Sequence, residues 1–127
     1  MIIGIGVDII EINRIKNAIK RNQKFIDKIF SEEEIKYLKK KDFKYESIAG
    51  KFAGKEAVVK ALGTGFRNIK IKDIEITNNE LGKPLVELKG GALDMIKDYK
   101  NIRIHLSISH SRDNAIAYSI IEGEHIR

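Results

Sequence analysis

The segment 45–62, "YESIAGKFAGKEAVVKAL", constrains the fold more than any other part of the chain. Its alanines recur at every fourth residue: Ala49, Ala53, Ala57 and Ala61. A helix would therefore carry one face of small side chains, and such a face lets a neighbouring element approach closely. Gly63 follows the segment and is well placed as a C-cap. The pattern predicts a long, tightly packed helix.

This helix has few polar side chains, and two of them are spaced one turn apart, at Glu56 and Lys60. The ordinary interpretation is an ion pair on a solvated face, worth about 0.2–0.5 kcal/mol. However, the apolar residues leave a narrow polar strip, and Gly54 costs about 1 kcal/mol relative to alanine unless something packs close to it. These details favour a second interpretation, in which the carboxylate and the ammonium bind a divalent cation and a phosphate side by side.

The first half of the chain alternates between strand and helix signals. The apolar run at 2–7 predicts a strand, and isoleucines at helical spacing predict a helix that begins between Asp8 and Glu11. Ser31 followed by Glu34 is a capping-box signature and predicts a second helix.

The second half is dominated by strand patterns. A strand at 69–77 with a slip near Asp73 precedes a return strand at 85–88, and a short helix follows at 91–99. Residues 102–109 alternate cleanly between apolar and polar, and "AIAYSII" pairs back as a hairpin. Together, these elements predict an α+β fold in which helices pack on an antiparallel sheet.

Size and composition bound the class of protein. The 127 residues fit one domain, 1–127, and the absence of cysteine excludes disulfides, thiolate metal sites and cysteine nucleophiles. The apolar N-terminus soon meets acidic residues, and no apolar run approaches the roughly 20 residues of a membrane span. We expect a soluble, cytoplasmic protein. The net charge of +6 favours an anionic partner, namely nucleic acid, phosphates or an acidic protein, unless it is only a solvated lysine-rich surface.

Asp8 has two interpretations. It is either the N-cap of the first helix, with Glu11 at capping-box spacing, or a carboxylate held at the end of a strand for a hard cation. His105 lies on the polar face of its strand with Ser107, but the two diverge along that face, which disfavours a hydrolase triad. Arg14 and Arg21 belong to a basic cluster that is either solvated or docks an acidic helix.

The order of the motifs identifies a family. From the N-terminus they are "IGIGVDIIEINRI", "FSEEEIKYLKK", "ESIAGKFAGKEAVVKALGTGF", "LGKPLVEL" and "HLSISHSRDNAIAYSIIE". In this order they closely resemble the acyl-carrier-protein synthase family of phosphopantetheinyl transferases, over nearly the whole chain. The resemblance implies transfer of 4′-phosphopantetheine from coenzyme A to a serine of apo acyl carrier protein, for fatty acid biosynthesis. It also implies a homotrimer with active sites at the subunit interfaces.

The resemblance assigns roles to individual residues. It implies Mg²⁺ held by Asp8 and Glu56, with Glu56, directly or through a metal-bound water, as the base for the carrier serine. Lys60 would supply positive charge to the phosphates, and His105 would orient phosphate or metal-bound water. Arg14 and Arg21 would meet the acidic carrier. The residues implied for coenzyme A binding are Lys51, Phe52, Lys60, Gly63, Thr64, Gly65, Gly82, Lys83, Pro84 and His105.

The chain departs from the family pattern at two positions. Lys51 stands where the family often has arginine, and a lysine cannot make a bidentate phosphate contact. Gly54 replaces the more usual alanine. Two rival functions remain, a small nucleic-acid-binding module and an inactive interaction protein with the same fold. The first is disfavoured because the strand at 102–109 carries no aromatic side chain for base stacking.

Overall fold

The computed structural model describes residues 1–63, 67 and 69–126. Within these residues, five strands and five helices follow one another in mixed order. The strands are β1 (Ile2–Glu11), β2 (Ile74–Asn78), β3 (Pro84–Leu88), β4 (Tyr99–His110) and β5 (Asn114–His125). The helices are α1 (Ile12–Arg21), α2 (Phe25–Ile29), α3 (Glu32–Lys40), α4 (Tyr45–Leu62) and α5 (Gly90–Asp94).

The strands form two antiparallel sheets rather than one. The larger sheet has the order β1-β5-β4, and the smaller sheet pairs β2 with β3. Helix α4 packs across the larger sheet, and α1 packs against α4. The α+β class with antiparallel strands and packed helices is therefore confirmed.

Close packing of α4 on the sheet depends on small residues on both sides. Ala53 and Ala57 are fully buried against Ala117 of β5. On β1, a Cβ atom added at Gly6 would lie 2.0 Å from the carbonyl oxygen of Ala57, and one added at Gly4 would lie 1.7 Å from that of Ala61. The close packing predicted from the alanine repeat is confirmed, and the glycine pair in β1 is the partner of this face.

Gly54 also has a packing reason. A Cβ atom there would lie 2.9 Å from Ile76 of β2 and 3.1 Å from Ile108 of β4. The missing side chain thus lets α4 contact both sheets at one point, and this contact offsets the helix-propensity cost.

Several element boundaries differ from the sequence-based predictions. Strand β1 continues to Glu11, so α1 begins at Ile12 with Glu11 as N-cap, and the N-cap interpretation of Asp8 is wrong. A short helix, α2, forms in the segment 22–30, where no element was predicted. Residues 71–73 form a 3₁₀ turn that precedes β2, so the strand predicted from residue 69 begins only at Ile74. In this turn the Asp73 carboxylate accepts a hydrogen bond from the Lys70 amide, which stabilises a turn over an extended strand.

Two other predictions are confirmed. Helix α4 occupies the predicted residues and ends at Gly63, which adopts the left-handed conformation with φ of 87°. The capping box of α3 is complete, because Ser31 accepts a hydrogen bond from the Glu34 amide and Glu34 accepts one from the Ser31 amide.

The face of the larger sheet that points away from α4 carries exposed apolar side chains from two neighbouring strands. They are between 41% and 65% exposed: Ile5, Val7, Ile9, Ile116 and Tyr118. We call this surface the outer sheet face. It is a contiguous apolar area of the kind that monomeric proteins seldom leave open to water.

Candidate active site

Asp8 and Lys60 meet where β1 passes the last turns of α4. The Nζ atom of Lys60 lies 3.1 Å from Oδ1 of Asp8 and donates to the carbonyl oxygen of Val7 at 3.0 Å. The Asp8 side chain is 14% exposed and the Lys60 side chain 53% exposed. The ammonium group can therefore still reach a ligand, while the carboxylate is held in place.

Glu56 lies one turn before Lys60 on α4 and is half-buried. Burial raises the pKa of Glu56 above its ordinary value, the nearby Asp8 carboxylate raises it further, and the Lys60 ammonium partly opposes both effects. The two carboxylates are therefore close enough to repel each other, and the positive charge of Lys60 offsets part of this repulsion. Such a pair gains free energy when a cation binds between them.

The donor set suits Mg²⁺. This ion uses one or two protein carboxylates and completes its octahedral shell with waters and phosphate oxygens. In the described part of the chain, no three His, Asp or Glu side chains converge into a larger metal-binding cluster. The residues present therefore fit magnesium shared with a phosphate substrate better than a metal enclosed by protein ligands.

The same carboxylates line a pocket of about 490 Å³ between α1, β1 and α4. Arg14 and Arg21 of α1 line it as well, and Phe52 of α4 lines its apolar part. The ring centroid of Phe52 lies 6.2 Å from that of Phe25 in α2. The structure thus brings the two implied metal ligands, Lys60 and both implied carrier-binding arginines to one site.

Lys51 precedes Phe52 but lies on another side of α4. It is 4% exposed, and its Nζ atom donates to the carbonyl oxygen of Ile76 at 2.8 Å and to Oδ1 of Asn78 at 3.0 Å. With Gly82 and Pro84 it lines a second pocket, of about 440 Å³. Burial lowers its pKa to about 8, against a smaller opposing effect of Glu34.

His105 lies on the outer sheet face, on β4. Its Nε2 atom is 2.6 Å from Oε2 of Glu122 on β5, and this hydrogen bond holds the pKa of Glu122 below its usual range. A third pocket beside His105 is lined by Lys83 and Pro84. Glu122 was not among the residues predicted from the sequence, although the alternation of β5 places it on the same face as His105.

The residues implied for the reaction therefore divide into two groups. Asp8 pairs with Ala117, which is buried against α4, and Ala117 pairs with Ile108. His105 is three residues from Ile108, so the alternation of the strand places it on the opposite face of the sheet. Gly63 ends α4 near the first group. Thr64 and Gly65 lie outside the described residues.

A buried ion pair that the sequence analysis missed supports α4 next to the site. Lys55 and Glu34 are fully buried, 2.7 Å apart, and Lys55 also donates to the carbonyl oxygens of Ile29 and Ile74 at 2.9 and 2.8 Å. The capping box explained Glu34 but not its second carboxylate oxygen, which accepts from the Ile76 amide. The sequence did contain a signal for this pair, because a lysine among buried alanines, such as Lys55, needs a buried acidic partner.

Comparison with protein families agrees with this geometry. The family model described as the 4′-phosphopantetheinyl transferase superfamily matches residues 4–119. The chain belongs to the 4′-phosphopantetheinyl transferase superfamily. The resemblance inferred from the motifs is thereby confirmed.

Individual proteins and solved structures are also similar to the chain. The chain is 73% identical to a holo-[acyl-carrier-protein] synthase of Clostridium tetani, over 98% of each chain, and 57% identical to that of Clostridium acetobutylicum, over 96% of this chain and 98% of the other. Among solved structures, a holo-(acyl-carrier-protein) synthase of Bacillus anthracis in complex with CoA (3′,5′-ADP) matches with a TM-score of 0.78 and 36% identity, over 98% of each chain. A Helicobacter pylori holo-[acyl-carrier-protein] synthase in complex with coenzyme A matches with a TM-score of 0.80 and 37% identity, over 93% of this chain and 99% of that chain.

Among the described residues, no helix is long and apolar enough to cross a membrane.

Proposed function

We propose that this chain transfers the 4′-phosphopantetheine group of coenzyme A to a serine of apo acyl carrier protein, giving holo carrier for fatty acid biosynthesis and adenosine 3′,5′-bisphosphate. Residues 1–127 would act as one phosphopantetheinyl transferase domain. The observation that carries the proposal is the convergence of Asp8, Glu56 and Lys60 at one pocket. Two carboxylates and an ammonium are the groups needed to hold a divalent cation and a pyrophosphate together.

The reaction is a substitution at phosphorus. The serine oxygen bonds to the pantetheine-bearing phosphorus of the pyrophosphate, the bond to the bridging oxygen breaks, and adenosine 3′,5′-bisphosphate leaves with the electron pair. Catalysis of such a transfer depends mainly on positioning and on neutralising charge. Asp8 and Glu56 would hold Mg²⁺, and the ion would supply part of that neutralisation.

The protein residues supply the proton transfer and the second positive charge. Glu56 accepts the proton of the serine hydroxyl, a role that suits a carboxylate whose pKa is raised by burial. Lys60 exchanges its contacts with Asp8 and Val7 for phosphate oxygens of the substrate. Its exposed ammonium is already next to the carboxylates, so this exchange needs only a change of side-chain conformation.

The carrier is expected to dock on α1. Arg14 and Arg21 line the pocket that contains Asp8 and Glu56, and both are exposed. Opposite charge across such a contact accelerates encounter and selects for an acidic partner. A serine presented by a carrier on α1 would therefore arrive beside the proposed base. No nucleic-acid partner and no membrane are needed to account for the basic charge.

We further propose that the active site is completed in a homotrimer. The outer sheet face is apolar and exposed on β1 and β5, and a second copy of the chain would cover it. Among the residues implied for coenzyme A binding, those beside His105 are separated by the larger sheet from Glu56 of the same chain. A neighbouring subunit packed on this face can supply His105, Lys83 and Pro84 to the pocket of the first.

The direct experiment is mass spectrometry of an apo carrier after incubation with this protein, coenzyme A and Mg²⁺. We expect the mass of the carrier to increase by one phosphopantetheine, and the increase to disappear with a chelator. Sedimentation equilibrium at the same concentration should give three chains per particle. An unmodified carrier, together with tight and salt-sensitive binding to oligonucleotides, would instead favour the nucleic-acid-binding module.

A further inference from the structure

The backbone groups along one edge of strand β2 form hydrogen bonds with side chains instead of with another strand. One edge of β2 pairs with β3, and the other edge faces α4. On that other edge the carbonyl oxygens of Ile74 and Ile76 accept hydrogen bonds from Lys55 and Lys51, which are one turn apart on α4. The Ile76 amide donates to Glu34. Buried side chains thus satisfy backbone groups that would otherwise be left without partners.

Lys51 extends this contact to the turn between β2 and β3. Its Nζ atom also donates to Oδ1 of Asn78, and Nδ2 of Asn78 donates to the carbonyl oxygen of Gly82 at 3.0 Å. Asn79 closes the turn, because its side-chain oxygen accepts from the Lys83 amide at 2.9 Å. A continuous series of hydrogen bonds therefore runs from α4 to the segment that carries Gly82, Lys83 and Pro84.

The ammonium group of Lys51 has little capacity left for a phosphate. Two of its three protons are donated to protein oxygens, and the centre of the Tyr37 ring lies 4.3 Å from Nζ. The residue is 4% exposed. Only one of its protons is left for a phosphate, whereas an arginine has five N–H donors and could hold both β2 and a phosphate.

We propose that Lys51 is a positioning residue that holds the β2–β3 turn, residues 78–84, on α4, and that it is not a phosphate ligand. The inference rests on the proposed function, since the turn carries residues implied for coenzyme A binding. It replaces the direct role that the family resemblance gives to position 51. Lys51 acts on coenzyme A by fixing where Gly82, Lys83 and Pro84 stand on their own subunit, from which Lys83 and Pro84 reach the neighbouring pocket.

The test compares two single variants and their combination. Lys51→Met keeps the apolar stem and removes the donors, and Asn78→Ala breaks the same series of bonds while leaving the lysine in place. We expect each to accelerate amide hydrogen exchange of Gly82 and Lys83 about tenfold in the free protein, and to raise the KM for coenzyme A by a similar factor with kcat little changed. The double variant should be no worse than Lys51→Met, because both changes break one connection.

The matched control is Lys44→Met, which removes an exposed ammonium from the same pocket. Exchange of the turn amides should be unchanged in this variant. Unchanged exchange in Lys51→Met, or a raised KM in Lys51→Met beside a normal KM in Asn78→Ala, overturns the inference. Wild-type protein that modifies no carrier overturns the proposed function instead, while the exchange rates, measured without coenzyme A, still decide whether Lys51 holds the turn.

Discussion

The ammonium of Lys60 lies 3.1 Å from the carboxylate of Asp8, although the two residues are 52 positions apart in the chain. The contact joins the last turn of α4 to the middle of β1. It also excludes the N-cap interpretation of Asp8, since the residue belongs to a strand and faces a lysine instead of capping α1. The carboxylate is thereby available to the Mg²⁺ ion that we propose it shares with Glu56.

Asp8→Asn should lower transfer activity strongly while leaving the protein folded. The amide keeps the shape of the side chain but removes one of two charges for Mg²⁺ and the partner of Lys60. We expect a loss of activity of about a hundredfold or more, partly recovered at high Mg²⁺ concentration, measured by carrier modification. Full activity of Asp8→Asn at low Mg²⁺ concentration would show that Asp8 does not bind the metal.

Glu56→Gln should strongly reduce transfer and at the same time stabilise the free protein. Burial and the Asp8 carboxylate both raise the pKa of Glu56, so its ionised form is destabilising near neutral pH, and a neutral side chain of the same shape avoids that cost. We expect a higher Tm for the variant in chelator and a loss of activity of about 10²–10⁴-fold. Added Mg²⁺ should raise the Tm of the wild type and have little effect on the variant. A lower Tm for Glu56→Gln than for the wild type in chelator would contradict the destabilising effect of the Glu56 charge.

The stability contribution of Lys51 should depend on pH above neutrality. Its pKa is about 8 in the folded protein, against 10.5 for an ordinary lysine, because burial disfavours the charge. Between these values the unfolded chain binds more protons than the folded chain, so stability rises with pH in this window. Relative to Lys51→Met, the free energy of unfolding of the wild type should increase by on the order of 3 kcal/mol from pH 8 to 10.5. Urea denaturation of both proteins at several pH values measures this difference in the free energy of unfolding. A difference that does not change with pH would contradict the lowered pKa of Lys51.

Gly6→Ala should destabilise the fold, because the added Cβ atom would lie 2.0 Å from a backbone oxygen of α4. Neither backbone can move without disturbing the sheet, so we expect a loss of about 1–3 kcal/mol in urea denaturation. Gly50→Ala is the matched control, since its Cβ atom would meet one side-chain methyl group at 3.0 Å. Helix propensity favours alanine there by about 1 kcal/mol, so this change should be close to neutral. Equal losses in both variants would mean that close contact at Gly6 is not decisive.

Arg14→Glu should weaken association with the carrier and reduce its dependence on salt. The side chain is exposed and lines the pocket of Asp8 and Glu56, so the change replaces attraction by repulsion at the proposed docking surface. We expect the KM for the carrier to rise roughly three- to tenfold at low salt. Lys97→Glu makes the same change of charge on an exposed residue outside this pocket and should leave the KM unaltered. An unchanged KM in Arg14→Glu would place the carrier elsewhere.

Local patterns were sufficient for most of the elements. The alanine repeat predicted α4, the capping box predicted α3, and the alternation at 102–109 predicted β4 with its apolar and polar faces. Each of these signals depends on residues within a few positions of one another, and the structure retains them. The same reasoning failed at residues 71–73, where a side-chain hydrogen bond within one turn competes with an extended strand.

The site was determined in part by sequence. The family motifs identified Asp8, Glu56 and Lys60, and the structure brings them together. The buried pair of Lys55 with Glu34 and the contact of Lys51 with Asn78 were not foreseen, because each joins segments that are distant in the chain. Whether a lysine in a helix faces water or a carbonyl oxygen depends on which strand packs beside it. The sequence by itself determined which residues could carry the chemistry. Only the packing of β1 and β2 on α4 decided which of them face the pocket and which support it, because burial and hydrogen-bond partners exist only after distant segments meet.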